Sequence, residues 1–214
     1  MSDISHDPES SIPLTAEDRK VLSQTDAEYH YHTWDDLKDI IARNNLSLLK
    51  RKPSDLRRYI RWAADIKAEY GSMTRFLCQE RLKWEPLPSR DQEALGSMFS
   101  YRNPIPFKDP SDYRILENDW PYGMTPGIKH LVVWLKTPIP VLADDGDLTP
   151  ESRQGIEDFV DQTFVQRLDA AGHDGANKVV WFKNWTQLQS VRSLEHIHVL
   201  ARDVPEDVLL AWTS

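Results

Sequence analysis

The sequence holds a single cysteine, Cys78, in 214 residues. That excludes an internal disulfide and a multi-cysteine zinc site. Glycine is scarce as well, at 8 residues, and no apolar run approaches the roughly 20 residues of a membrane-spanning helix. Positive charge is in deficit: 26 Lys and Arg stand against 34 Asp and Glu, a formal net charge of −8. This balance excludes a protein that grips nucleic acid chiefly through a basic surface, and leaves open a small anionic ligand in a locally positive pocket. Residues 1–14 are acidic and Ser-rich, too polar to pack alone, and are expected to form a disordered tail. They carry no secretory signal pattern, so a cytoplasmic protein without a membrane anchor is expected. What the chain has in excess is tryptophan, 8 residues beside 7 Tyr and 6 Phe.

Residues 15–84 read as a helical layer. Thr15 with Asp18, and Thr33 with Asp36, have the spacing of capped helix starts. The second start leads into Leu37, Ile40 and Ile41 at helical spacing. A third helix begins at Pro53-Ser54-Asp55, with Ser54 as candidate N-cap. Leu56, Ile60, Trp62, Ala63, Ile66 and Tyr70 form its buried stripe, and Gly71 stops it. Residues 85–112 hold five prolines, counted with Pro110, and read as a connector. Residues 113–214 then alternate strand-like runs with one long helix opened by Thr149-Pro150-Glu151, where Pro stands at the first helical position. The expectation is a single α+β domain over 15–214, its N-terminal helical layer packed on a mostly antiparallel sheet.

The sharpest local signal is Glu195-His196-Ile197-His198-Val199. Strand alternation places His196 and His198 on one face with Leu194 and Leu200, and turns Glu195, Ile197 and Val199 the other way. Two adjacent imidazoles on one face suit a shared metal, or a nucleophile and its orienting partner. A second constellation is Asn118-Asp119-Trp120-Pro121-Tyr122-Gly123 followed by His130-Leu131-Val132-Val133-Trp134. A third is Trp181-Phe182-Lys183-Asn184-Trp185, running through Gln189, Ser190 and Arg192 to the histidine pair. Aromatic walls with nearby amide, hydroxyl and guanidinium groups suit a planar or anionic ligand. The basic run Lys50-Arg51-Lys52 with Arg57 and Arg58 reads as a solvated helix end, and Cys78 as a buried structural thiol.

Two resemblances follow. The blocks Lys50-Arg51-Lys52-Pro53-Ser54-Asp55-Leu56, Glu69-Tyr70-Gly71-Ser72, Arg81-Leu82-Lys83-Trp84, Asn118 to Gly123, His130 to Trp134, Trp181 to Trp185 and Glu195 to Val199 resemble the fungal family of N-acetylglucosamine-induced proteins. That family is defined by a domain of unknown function and implies no reaction. From Asn118 to Arg202 the chain also resembles the histidine-triad and galactose-1-phosphate uridylyltransferase superfamily. Pro121-Tyr122, His130-Leu131-Val132-Val133 and Lys136 stand in its first block, and His196-Ile197-His198-Val199-Leu200-Ala201-Arg202 in its last. In one alignment His196 takes the place of the histidine that attacks phosphorus, His198 is the third of the triad and Leu194 replaces the first. In the other, His196 is the first, His198 the attacking residue and Leu200 the lost third.

The leading expectation is therefore a small-molecule enzyme of histidine-triad-like type. It would hydrolyse or transfer a phosphoester of a nucleotide or sugar phosphate through a strand histidine, with no cofactor. His130, His196 and His198 are the candidate catalytic residues. Asn118, Trp120, Tyr122, Trp181, Lys183, Asn184, Trp185, Ser190 and Arg192 are the candidate binding residues. Two alternatives stand beside it: a divalent-metal enzyme using His130, His196 and His198, and a non-catalytic sensor of an amino sugar or its phosphate.

Overall fold

The computed structural model describes residues 14–142, 146–185, 188–189 and 191–214. Ser190 and residues 1–13 of the expected tail lie outside the described residues; Leu14, the tail's last residue, packs against Val21, Tyr29, Leu56 and Ile60. The chain divides into two compact units. One comprises residues up to Arg81 together with Asp119–Thr125, and the other Leu82–Asn118 with Pro126–Ser214.

The first unit is helical. Helices α1 (Ala16–Leu22) and α2 (Trp34–Ala42) both begin with the expected capping boxes, Thr15 with Asp18 and Thr33 with Asp36. Each box satisfies two otherwise orphaned backbone donors, which is why the helices start where they do. Helix α3 (Pro53–Tyr70) buries Pro53, Leu56, Ile60, Ala63 and Ile66, a stripe at i, i+3 and i+4 spacing, and ends on Gly71 in the left-handed region at φ 79°. Its N-cap is Lys52 rather than Ser54. The Ser54 backbone N–H and hydroxyl instead donate to the Asp26 carboxylate at 2.8 and 2.6 Å. A remote carboxylate thus takes over the capping role. The short helix α4 (Met73–Phe76) runs on into a wider π turn, Leu77–Leu82.

Segment Asp119–Thr125 is stitched to this unit by its backbone. Gly123 N–H donates to the Lys50 carbonyl at 2.8 Å, and its own carbonyl accepts from His32 N–H at 3.0 Å. Tyr29 hydroxyl reaches the same Lys50 carbonyl. A Cβ at position 123 would collide with the Tyr29 ring, so only glycine permits this approach.

The second unit carries one antiparallel four-stranded sheet of order β1-β2-β4-β3. Its strands are β1 (Tyr113–Glu117), β2 (Ile128–Leu135), β3 (Val179–Phe182) and β4 (Glu195–Arg202). The expected connector contains a helix, α5 (Ser89–Leu95). The long helix follows Thr149 as expected: α6 (Pro150–Val160), a π turn Asp161–Val165 and α7 (Gln166–Ala170). Helix α8 (Glu206–Thr213) closes the chain. Leu131, Val133, Leu135, Ile197, Val199 and Ala201 bury one sheet face against Ile156, Phe159, Phe164 and Leu168 of the long helix, and Val208, Leu209 and Trp212 of α8. Each buried Leu, Val or Ile among them contributes about 1.5–3 kcal/mol by leaving water. The other face of the same strands carries the histidines.

Candidate functional site

Antiparallel pairing sets the site. In the β2–β4 ladder Trp134 lies opposite His196, Val132 opposite His198 and His130 opposite Leu200; from the far side β3 brings Phe182 opposite His198. Directly opposed residues share a face. His130, Trp134, Phe182, His196 and His198 therefore converge, and the three histidines are only 3, 4 and 6 % exposed, in that order.

Two asparagines complete the cluster from strand ends. Asn184, just past β3, is itself buried, and its Nδ2 lies 3.2 Å from His198 Nε2. An amide NH2 can only donate, so Nε2 accepts and neutral His198 carries its proton on Nδ1. That Nδ1 sits 2.9 Å from His130 Nε2, to which it donates. Asn118 Nδ2 lies almost equidistant from the two His130 ring nitrogens, 3.4 Å from Nδ1 and 3.3 Å from Nε2, and its backbone N–H donates to the His130 carbonyl at 2.8 Å. The result is a chain of contacts running from Asn184 through His198 to His130.

His196 is held differently. Its Nδ1 donates to the Leu194 carbonyl at 2.7 Å, which leaves the lone pair on Nε2. Burial pushes its pKa down to about 4; the Lys183 charge acts in the same direction and the Leu194 carbonyl opposes. Trp134 leans on its ring at 4.7 Å and His198 meets it edge-on at 5.2 Å, while Phe182 stacks on His198 at 4.8 Å. An imidazole so placed is neutral at physiological pH, fixed in tautomer and rigid, which is what a nitrogen nucleophile requires.

The metal alternative does not suit this arrangement. His130 and His198 turn their facing nitrogens on each other through an N–H···N bond, so the pair cannot both donate lone pairs to an ion. Among the described residues no group of three His, Cys, Asp or Glu side chains has metal-binding geometry.

The remaining candidate binding residues scatter. Trp181 is opposite Val199 and packs with the apolar core on the helix-covered face, with the Arg153 guanidinium 5.9 Å from its ring centre. It does not face the histidines. Lys183 forms an ion pair with Glu195 at 3.6 Å, and burial raises the Glu195 pKa. Trp185 is 45 % exposed and Arg192 is exposed. Trp120 and Tyr122 belong to the first unit. Within the second unit, Trp134 lies on the histidine face, Trp181 on the helix-covered face, and Trp185 is exposed.

The first unit has a site that the sequence reading missed. A cavity of about 400 Å³ is lined by Asp55, Arg58, Trp62, Phe76, Arg81, Asp119, Trp120 and Pro121. Trp62 read as part of the buried stripe of α3, yet it is half-buried and lines this cavity. The available signal was Asp55, Arg58, Tyr59 and Trp62, charged and aromatic residues at i, i+3, i+4 and i+7 on one helix face. The basic run is absorbed structurally: Lys50 pairs with Asp18, Lys52 with Asp26, and Arg51 Nε donates to the Trp120 carbonyl.

Comparison with known proteins agrees with the block pattern. The profile of a family described as "Protein of unknown function (DUF3605)" matches residues 33–202. The chain belongs to this family. Among similar proteins, N-acetylglucosamine-induced protein 1 of Candida albicans is 34% identical over 181 residues, spanning 81% of this chain and 69% of that one. An uncharacterized protein of Saccharomyces cerevisiae is 30% identical over 169 residues, with 78% and 77% covered. A solved structure titled "Crystal Structure of HTC1" superposes with a TM-score of 0.60 at 26% identity, covering 83% of this chain and 88% of that one. The resemblance to N-acetylglucosamine-induced proteins is therefore a family relationship. Among the described residues no helix is long and apolar enough to cross a membrane.

Proposed function

We propose that the histidine face is the reactive centre of a cytoplasmic, histidine-triad-like enzyme that hydrolyses or transfers a phosphoester of a nucleotide or sugar phosphate. The observation that carries this reading is the state of His196: buried, neutral, with Nδ1 committed to the Leu194 carbonyl and the lone pair on Nε2. Between the two alignments with the superfamily, this favours His196 as the attacking residue. His198 is the poorer nucleophile because both its nitrogens are engaged, by Asn184 and His130.

In the proposed reaction His196 Nε2 attacks phosphorus, a P–N bond forms and the ester P–O bond breaks. The leaving oxygen departs with the bond electrons and takes a proton from water. A second water then adds to phosphorus and releases its proton to solvent, the P–N bond breaks, and neutral His196 is restored. The His198–His130 pair and the Phe182 ring hold the neighbouring side chains in place around His196. The Candida relative's name ties that protein's expression to an amino sugar, which favours sugar phosphates within the substrate class.

The test is intact-mass spectrometry after neutral quenching, with a panel of nucleotides, nucleotide sugars and sugar phosphates. A phosphoryl or nucleotidyl adduct that maps to His196 and vanishes in His196→Ala is expected. Turnover unchanged in His196→Ala overturns the reading.

A further inference from the structure

We propose that the cavity of the first unit binds a neutral pyranose sugar, held with its C–H face against the Trp62–Trp120 wall and its hydroxyls on the Arg–Asp pairs. This inference rests on none of the histidine chemistry.

Arg58 pairs with Asp55 at 3.3 Å and Arg81 with Asp119 at 2.8 Å. The lining is thus neutral in sum, and any anion drawn to either guanidinium meets a carboxylate beside it. A cation meets two guanidinium groups, one of them already 5.7 Å from the Trp120 ring centre. Neither sign of ligand gains a net attraction. Both kinds of hydrogen-bonding group nevertheless remain. A guanidinium has five N–H donors and a carboxylate about four lone-pair sites, so one ion pair leaves several of each unspoken for. Neighbouring hydroxyls that both donate and accept match such a paired lining.

The aromatic geometry selects further. Trp62 and Trp120 lie against each other at 5.3 Å and 43°, and Phe76 meets Trp62 edge-on at 5.5 Å. A flat base inserted between two rings would hold them about 7 Å apart, twice a carbon contact distance. These rings are too close for that, and form one continuous wall rather than a slot. The negative π faces of such a wall attract polarised C–H groups, which a pyranose presents on one side. The wall is braced from behind: Tyr59 contacts both tryptophans, Arg51 lies 3.9 Å over the Tyr59 ring, and Arg51 Nε holds the Trp120 carbonyl. A volume of about 400 Å³ falls within the range of small-molecule sites.

The experiment is saturation-transfer difference NMR on the full chain with glucose, mannose and N-acetylglucosamine as probes, and AMP and inorganic phosphate as counter-probes. Transfer to the ring C–H protons of at least one sugar is expected, with none to AMP that survives His196→Ala. Trp120→Ala should abolish the sugar signal. Asp119→Asn, at an exposed side chain that leaves the aromatic wall intact, should weaken binding about tenfold, the worth of one hydrogen bond to a charged group. His196→Ala should leave the sugar signal unchanged, which separates this site from the proposed reactive centre. No transfer to any sugar, an affinity untouched by Asp119→Asn, or a sugar signal lost in His196→Ala overturns the proposal.

Discussion

The two faces of the sheet are written by the same eight residues of β4, yet they differ in kind. Ile197, Val199 and Ala201 close the side under the long helix with aliphatic carbon alone. His196 and His198, one residue out of step, bury imidazoles whose ring nitrogens call for polar partners: Nδ1 of His196 finds the Leu194 carbonyl, and both nitrogens of His198 are engaged. Aliphatic packing requires no such partners and tolerates no such cost. A face that retains three buried histidines, two asparagines and a hydrogen-bonded order is doing something the other face does not need. Under the proposed function, the difference separates stability from chemistry within a single strand.

The comparison can be broken from either side, and the effects should rank accordingly. Ile197→Ala should cost the most, about 2–5 kcal/mol of stability, because it empties a fully buried site between sheet and helix. Chemical denaturation measures it, and any adduct-forming activity that survives should keep its pH profile.

Acid should act through the other face. The folded-state pKa of His196, about 4, lies below the ordinary 6.5. The unfolded chain therefore binds the extra proton first, so stability is complete above about pH 6.5 and falls as pH drops toward 4. The slope approaches 1.4 kcal/mol per pH unit within that window. His32, also lowered chiefly by burial, adds to the loss with the same sign in the first unit. Replacing His196 by Phe should remove its share of the slope, read from denaturation midpoints across pH. Smallest of all, Trp185→Ala at an exposed ring should change stability by less than about 0.5 kcal/mol. An effect as large as that of Ile197→Ala would show that Trp185 anchors a face that the structure leaves open to solvent.

Much of the fold was legible in the sequence because its signals are local. Capping boxes at Thr15 and Thr33, the Thr149-Pro150 start, the Gly71 stop and the alternation in β4 all depend on residues a few positions apart. The parity of His196 and His198 followed from the same alternation. What failed was non-local. The face that Trp181 occupies depends on how β3 registers against β4, and a one-residue slip would have turned it toward the histidines. Trp120 stands two residues after Asn118, but the Gly123–Lys50 and His32 hydrogen bonds hold its segment to the helical unit. Ser54 has the composition of an N-cap, yet Asp26, 28 residues away, supplies the oxygens. Strand register, not proximity in sequence, decides that Trp134 lies on the histidine face and Trp181 on the other.

The most direct test of the account is long-range 1H–15N NMR of the histidine side chains across pH. His196 is predicted to show the Nδ1-protonated neutral tautomer and to stay neutral down to about pH 4. A His196 that titrates near 6.5, or that carries its proton on Nε2, would contradict the account, because the nitrogen assigned to attack phosphorus would then have no lone pair to offer.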